Sequence, residues 1–272
     1  MSNFLRALWK QKPPIRGPVE AVQRDIRLNA ERVGIDPASI SLYLPMWGPG
    51  DQQDYGIYAS TATNYGTTFE KNKLSFNDDY LSLPIAPMAA NDYTIIININ
   101  IHNTADNDGI ISGQLGGNPK DGVLGVLIGG ASLFYQTIGS SSPYLDAPIT
   151  KDKDVQVCIA VNDTAYGYML IDNEMKDQGQ LVNTSLAATD TYVGRYSVSG
   201  TLCRMIMSQC LIINSFLNAT HRSLFSDHPY LLLQRNPQRT WFIPSGAGLP
   251  TPVNLAGSPG LNSITWTWQA GA

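Results

Sequence analysis

The residues of this chain that could do chemistry are few and scattered. The histidines His102, His221 and His228 are dispersed, and none accompanies a plausible nucleophile motif. No G-x-S-x-G elbow, phosphate loop or zinc-ligand spacing occurs. Asp172 and Glu174 lie two apart and would share one face of a strand. Asp78 and Asp79 are adjacent, so in a strand they point to opposite faces and cannot cooperate. Asp106-Asn107-Asp108-Gly109 could offer oxygens to calcium, but these residue types also favour an ordinary turn, which is the preferred reading. No cofactor is therefore expected. Tyr55, Tyr58, Tyr65, Tyr135 and Tyr144 are candidate exposed rings that could stack on sugars. The competing reading is that tyrosine simply suits strands.

Composition narrows the field. Only 15% of the 272 residues are charged against 43% hydrophobic, and Asn, Thr, Ser, Gly and Tyr fill the difference. That mix suits a compact β-protein with a polar, uncharged surface and excludes a disordered chain. The net charge of -4 argues against a general nucleic-acid binder. The charge is uneven, however: residues 1–34 carry seven Lys/Arg against three acids, which leaves -8 on the remainder. A basic segment beside an acidic body suggests docking to another protein surface. Cys158, Cys203 and Cys210 are odd in number, lack metal spacing and sit in apolar alternating stretches, so buried free thiols are expected, as in a reducing cytoplasm. No signal peptide is expected at the start, and no run reaches transmembrane length, so no membrane insertion is expected.

These residues must be positioned by strands. Lys12-Pro13-Pro14 and Gly17-Pro18 make residues 1–18 an extended arm, and Val19, Val22, Ile26 and Val33 predict a short amphipathic helix stopped by Gly34. Residues 1–39 are accordingly expected to form an assembly arm outside the core. Phe4, Trp9, Lys10, Lys12 and Arg16 would be its anchors. From residue 40 the pattern is β. Leu74, Phe76 and Tyr80 are inward candidates, and Ile95, Ile97, Ile99 and Ile101 fall on one face of YTIIININI. Asn98, Asn100 and His102 occupy the watery face, with Ile96 an exception. Asn162-Asp163-Thr164-Ala165 reads as a hairpin turn, and Asn218 as the cap of a short helix. Strands at intervals of eight to twelve residues indicate a sandwich or barrel.

Four local patterns give a family resemblance: Leu42–Trp47 before a Gly/Asp loop, Leu74–Tyr80, Tyr168–Glu174 and Tyr192-Val193-Gly194. Their order over residues 40–245 resembles the laminin-G-like, concanavalin A-like jelly-roll family, an all-β antiparallel sandwich. In that resemblance Asp172 and Glu174 sit at a hairpin tip, and Asn173 replaces a Gly; both tolerate positive φ. A turn role is thus preferred to catalysis. The ending, Ile212–Leu217, His228–Leu232 and Arg239–Pro244, together with the Lys12-Pro13-Pro14 arm, is similar to tailed-phage members. Residues 246–272 resemble the first two strands of a fibronectin type III domain.

The resemblance implies a structural protein of a tailed-phage virion, head- or tail-attached, made in the bacterial cytoplasm. Its partners would be other virion proteins, copies of itself and host-surface glycan. The alternative is a glycan-binding adhesin, and a glycoside hydrolase ranks third. No catalysis is expected.

Overall fold

The computed structural model describes residues 12–13, 18–85, 92–102, 108–115, 118–127, 132–136, 145–181, 189–196, 202–234, 253–259 and 264–269. The chain divides into two units, residues 1–236 and 237–272. The first is an all-β antiparallel jelly-roll sandwich of lectin-like type with an N-terminal helical segment.

Its strands are β1 (Ile40–Leu44), β2 (Gln52–Gln53), β3 (Thr61–Tyr65), β4 (Thr68–Glu70), β5 (Lys73–Phe76), β6 (Tyr80–Leu83), β7 (Tyr93–Ile101) and β8 (Asp108–Leu115). They continue as β9 (Asn118–Leu127), β10 (Ser132–Gln136), β11 (Leu145–Pro148), β12 (Asp154–Val161), β13 (Tyr166–Ile171), β14 (Glu174–Gln180), β15 (Asp190–Val193) and β16 (Met205–Ile213). One eight-stranded sheet runs β14-β13-β12-β7-β16-β5-β4, with β1 also on β16; the other runs β11-β10-β9-β8-β15-β6-β3-β2. The sheets face each other across a hydrophobic core. Ile95, Ile97, Ile99 and Ile101 enter it from β7, Val155, Val157 and Ile159 from β12, and Leu81, Leu83, Leu133 and Tyr135 from the opposite sheet. Two-residue periodicity is what makes this possible, since it delivers every second side chain to one face.

Ile96, the exception in the alternation, explains where the helices go. It points to the outer face of the first sheet and is fully buried. Across the strands it aligns with Cys158 on β12 and Leu211 on β16; Leu170 and Tyr43 extend the row. This apolar stripe lies under helices α1 (Val19–Arg32) and α2 (Ala219–Asp227) and forms a second hydrophobic cluster with Val22, Ile26, Ala30 and Phe225. Helical spacing places Val22, Ile26 and Ala30 on one side of α1. Gly34, at φ 76°, ends the segment as expected. Asn218 caps α2, its side chain accepting from His221 N at 3.0 Å.

Residues 19–34 are therefore part of the fold, which corrects the expectation that the whole of residues 1–39 lies outside the core. Asn29 is buried, and its amide donates to Leu232 O at 3.1 Å and Gln234 O at 2.7 Å. His221 Nε2 meets Val33 O at 2.8 Å. The Pro/Gly punctuation and the basic excess over residues 1–34 suggested an arm, but the apolar stripe beneath α1 decides its place.

The second unit contains a pair of antiparallel strands, β17 (Val253–Pro259) and β18 (Ile264–Gln269). No described helix is long and apolar enough to cross a membrane.

Candidate functional site

Beyond the helices, the outer face of the first sheet turns polar, and a groove of about 530 Å³ opens on it. Its floor is a ladder of side chains on β7 and its neighbour. Gln156 Nε2 donates to Asn98 Oδ1 at 3.1 Å, and Asn100 Nδ2 donates to Asp154 Oδ1 at 3.2 Å. One step further, His102 Nδ1 lies 2.7 Å from Asp152 Oδ1. The strand register produces the first two rungs directly, since Gln156 opposes Asn98 and Asp154 opposes Asn100. The watery face expected for Asn98, Asn100 and His102 is thus an ordered polar surface.

The walls are set by other elements. Lys71 and Lys73 come from the β4–β5 hairpin, with Lys73 Nζ 2.6 Å from Asp154 Oδ2. Pro229 and Tyr230 follow α2, and the Tyr230 hydroxyl donates to Ser208 Oγ at 2.9 Å. Asp172 lines the groove from the β13–β14 turn, where its Oδ1 accepts from Gln156 N at 2.9 Å. Lys12 closes one end: its ammonium donates to Met46 O and Asn72 O, both at 2.6 Å. Burial and the like charge of Lys73 push its pKa down to about 7. Beside it, Trp47 Nε1 donates to Pro13 O at 2.9 Å. Lys12 is thus docked on the sandwich, while Phe4, Trp9, Lys10 and Arg16 lie outside the described residues.

Within the groove Asp154 is held in its charged form. Burial acts to raise Asp154, but hydrogen bonds from Lys73 and Asn100 outweigh it and hold the carboxyl below its usual range. A general acid needs the opposite shift. Asp172 and Asn173 take φ of 51° and 66° at the hairpin tip, and Glu174 pairs with Lys176 at 2.7 Å. Asn173 is the positive-φ position the sequence suggested, and Asp172 joins it. Among the described residues no three His, Cys, Asp or Glu side chains gather as a metal site would. Asp106 and Asn107 of the calcium-like turn lie outside the described residues. The three cysteines are buried and free, and burial pushes Cys158 and Cys210 up to about 12.

The candidate tyrosines separate. Tyr135 is fully buried and shares a hydrogen bond with the Tyr93 hydroxyl, so it is not a surface ring; its strand face is that of core residue Leu133. Tyr55 is only 8% exposed and packs edge-on to Trp47. Both correct the expectation of exposure. Tyr58 and Tyr65 are exposed, at 43% and 48%. Tyr144 lies outside the described residues. Tyr80, expected inward, stands on the outer face of the second sheet, because Leu81 and Leu83 take the core positions of β6. It stacks on Tyr65 with centroids 4.5 Å apart and planes at 8°.

Sequence reasoning missed Asp154, Gln156, Lys73, Ser208 and Tyr230. Only the alternation in Asp154–Val161, with Val155 and Val157 inward, carried a signal for the first two.

No protein-family model matches the chain, and no curated protein matches it in sequence. Among solved structures it is similar to the binding domain of botulinum neurotoxin DC, solved in complex with SialylT. That match has 12% identity and a TM-score of 0.58, and covers 73% of this chain and 52% of that one. It is also similar to a structure described as cell entry of botulinum neurotoxin type C dependent upon interaction with two ganglioside molecules, with 11% identity, a TM-score of 0.59 and coverage of 73% and 52%. A Trypanosoma rangeli sialidase matches at 15% identity and a TM-score of 0.58, with coverage of 79% and 39%. This chain thus spans about half the length of the toxin domains. At such identities the likeness is one of fold.

Proposed function

We propose that the chain is a carbohydrate-binding module that holds a short glycan in the groove on the outer face of its first sheet, without cleaving it. The observation that carries this reading is the cross-strand ladder of planar amides and carboxylates, Asn98–Gln156 and Asn100–Asp154, whose Asn98, Asp154 and Gln156 line a groove large enough for a few sugar rings. Hydroxyl groups both donate and accept, so they are matched by side chains that do the same at fixed spacing. The ladder is pre-ordered by its own hydrogen bonds, which lowers the entropy lost on binding. The lectin-like fold, and its occurrence in toxin binding domains, support the reading.

A glycan array probed with the full chain, followed by calorimetry on the hits, tests it. Asn98→Ala with Gln156→Ala should weaken binding at least about tenfold, at roughly 1 kcal/mol or more per lost hydrogen bond, with the β circular-dichroism signal intact. No glycan binding by the native chain, or binding indifferent to the pair, overturns the proposal. Sugar release from a bound polysaccharide would overturn the clause on cleavage. The setting suggested by the terminal motifs is the surface of a tailed-phage virion. Electron microscopy of particles labelled for this protein checks that placement.

A further inference from the structure

A second surface, on the outer face of the other sheet, has a different chemistry. Tyr65 on β3 and Tyr80 on β6 oppose each other in register, which brings their rings into the parallel stack. Tyr192 on the adjacent β15 meets Tyr80 edge-on at 5.6 Å. The Arg195 guanidinium lies 4.5 Å from the Tyr80 centroid and 5.6 Å from that of Tyr192. A ring has two faces. Tyr65 occupies one face of Tyr80 in the close stack, so Arg195 occupies the other. The result is a column, Arg195–Tyr80–Tyr65, whose last ring keeps its outer face open and is 48% exposed.

The cation distinguishes this column from ordinary strand tyrosines. Lys73 and Arg204 are paired with carboxylates, Lys73–Asp154 at 2.6 Å and Arg204–Asp78 at 2.6 Å, whereas Arg195, like Arg222 over Tyr168 and Phe216, lies against rings. Among the described residues no carboxylate comes within ion-pair distance of Arg195, and its Nε is sealed from solvent without a hydrogen-bond partner. Asp190, on the same strand as Tyr192, accepts from Thr189 Oγ1 at 3.1 Å instead. Tyrosine faces take the C–H face of a pyranose, and a guanidinium takes a carboxylate.

We infer that this column is a second binding site, for acidic oligosaccharides: one sugar ring packs on the open face of Tyr65 while a carboxylate on the oligosaccharide reaches Arg195. It shares no residue with the groove and stands whether or not the groove binds sugar. The test is titration of the full chain with oligomers of galacturonate, glucuronate and mannuronate, each against its own methyl ester, by calorimetry and NMR. At least one acid form should bind tenfold or more tighter than its ester, and added salt should erode that advantage. Arg195→Gln should abolish the acid–ester difference. Tyr65→Ala, at an exposed ring whose loss leaves the core intact, should weaken acid and ester alike. Asn98→Ala with Gln156→Ala should leave all these titrations unchanged. Equal binding of acid and ester, no binding of any acid form at millimolar concentration, or a preference that survives Arg195→Gln overturns the inference. Loss of binding in the groove variant with Tyr65→Ala silent also overturns it.

Discussion

Helix α1 offers the sharpest test of how this fold is held together. Its Ile26 is 2% exposed and sits in the cluster with Ile40, Tyr43, Ile96, Leu211 and Ile213. Truncation to alanine removes most of that side chain from a packed site, at a cost of roughly 2–5 kcal/mol. Leu28, on the same helix but 39% exposed, is the control; Leu28→Ala should stay within about 0.5 kcal/mol. Removing residues 1–34 altogether does more. It uncovers the apolar row of the first sheet and strips Leu232 O and Gln234 O of the Asn29 amide. Val22 and Ile26 alone contribute on the order of 3–6 kcal/mol of burial, comparable with the whole stability of many domains at about 5–15 kcal/mol. Urea titration followed by circular dichroism reads these effects. With a slope of about 2 kcal/mol per molar, Ile26→Ala should move the midpoint down by about 1 M or more. The chain lacking residues 1–34 should lose cooperative unfolding or bind a hydrophobic dye. If that chain unfolds at the same urea concentration as the full one, and Ile26→Ala behaves like Leu28→Ala, the helix merely rests on the sheet and the reasoning fails.

Two further outcomes follow from buried geometry. Asp54 is fully buried, and burial raises its pKa against the hydrogen bonds from Tyr43 N, Gly56 N and Ser60. The folded state therefore holds this proton more tightly than the unfolded chain does, and its favourable contribution at low pH is lost as pH rises through the folded pKa. Asp54→Asn keeps an oxygen for Tyr43 N and Gly56 N, so its stability relative to the native chain should improve as pH rises above the ordinary carboxylate range. A gap that is flat or moves the other way in urea titrations would refute this. Gly194 has φ 88°, and an added Cβ would meet Phe76 Cδ1 at 2.6 Å and Asp79 O at 2.8 Å. Gly194→Ala should cost roughly 2–4 kcal/mol from backbone strain and overpacking. A thermal midpoint unchanged to within about 2 °C would show that the turn adapts.

The interior was legible because it obeys a local rule. Ile95, Ile97, Ile99 and Ile101 announce a core face by alternation alone, and each is buried there. Gly34 and Asn218 mark helix ends by their own backbone and side-chain chemistry. The outer faces were harder, since what covers them comes from far away in the chain. Gln156 Nε2 pairs with Asn98 across 58 residues, and no periodicity reports that pairing. Helix α1 was misjudged for the same reason: its amphipathic, Pro-flanked sequence is visible, but the row of Ile96, Cys158 and Leu211 that receives it is assembled only by register. Tyr80 and Tyr135 show the limit of residue type. Both are aromatic residues in strands, yet parity puts Tyr80 outside with Ser82 and Tyr135 inside with Leu133.

Along β7 the outer face runs from Ile96 through Asn98 and Asn100 to His102, from apolar to polar within one strand. That gradient settles what each end of the sheet can do. At the Ile96 end a helix must cover the surface, because bare isoleucine and leucine side chains would cost burial energy. At the Asn98 end a helix cannot cover it cheaply, because buried amides and carboxylates would each need a partner. Side chains from the neighbouring strand partly supply those partners through the ladder, and a groove remains where the helices stop. On the opposite sheet the outward positions carry Tyr65, Tyr80 and Tyr192 with Arg195. With both inner faces committed to the core, the proposed recognition falls to the outer ones. One offers hydrogen-bonding groups at strand spacing, and the other offers ring faces and a cation without a carboxylate partner among the described residues. These are complementary ways of reading a sugar, by its hydroxyls and by its ring and charge.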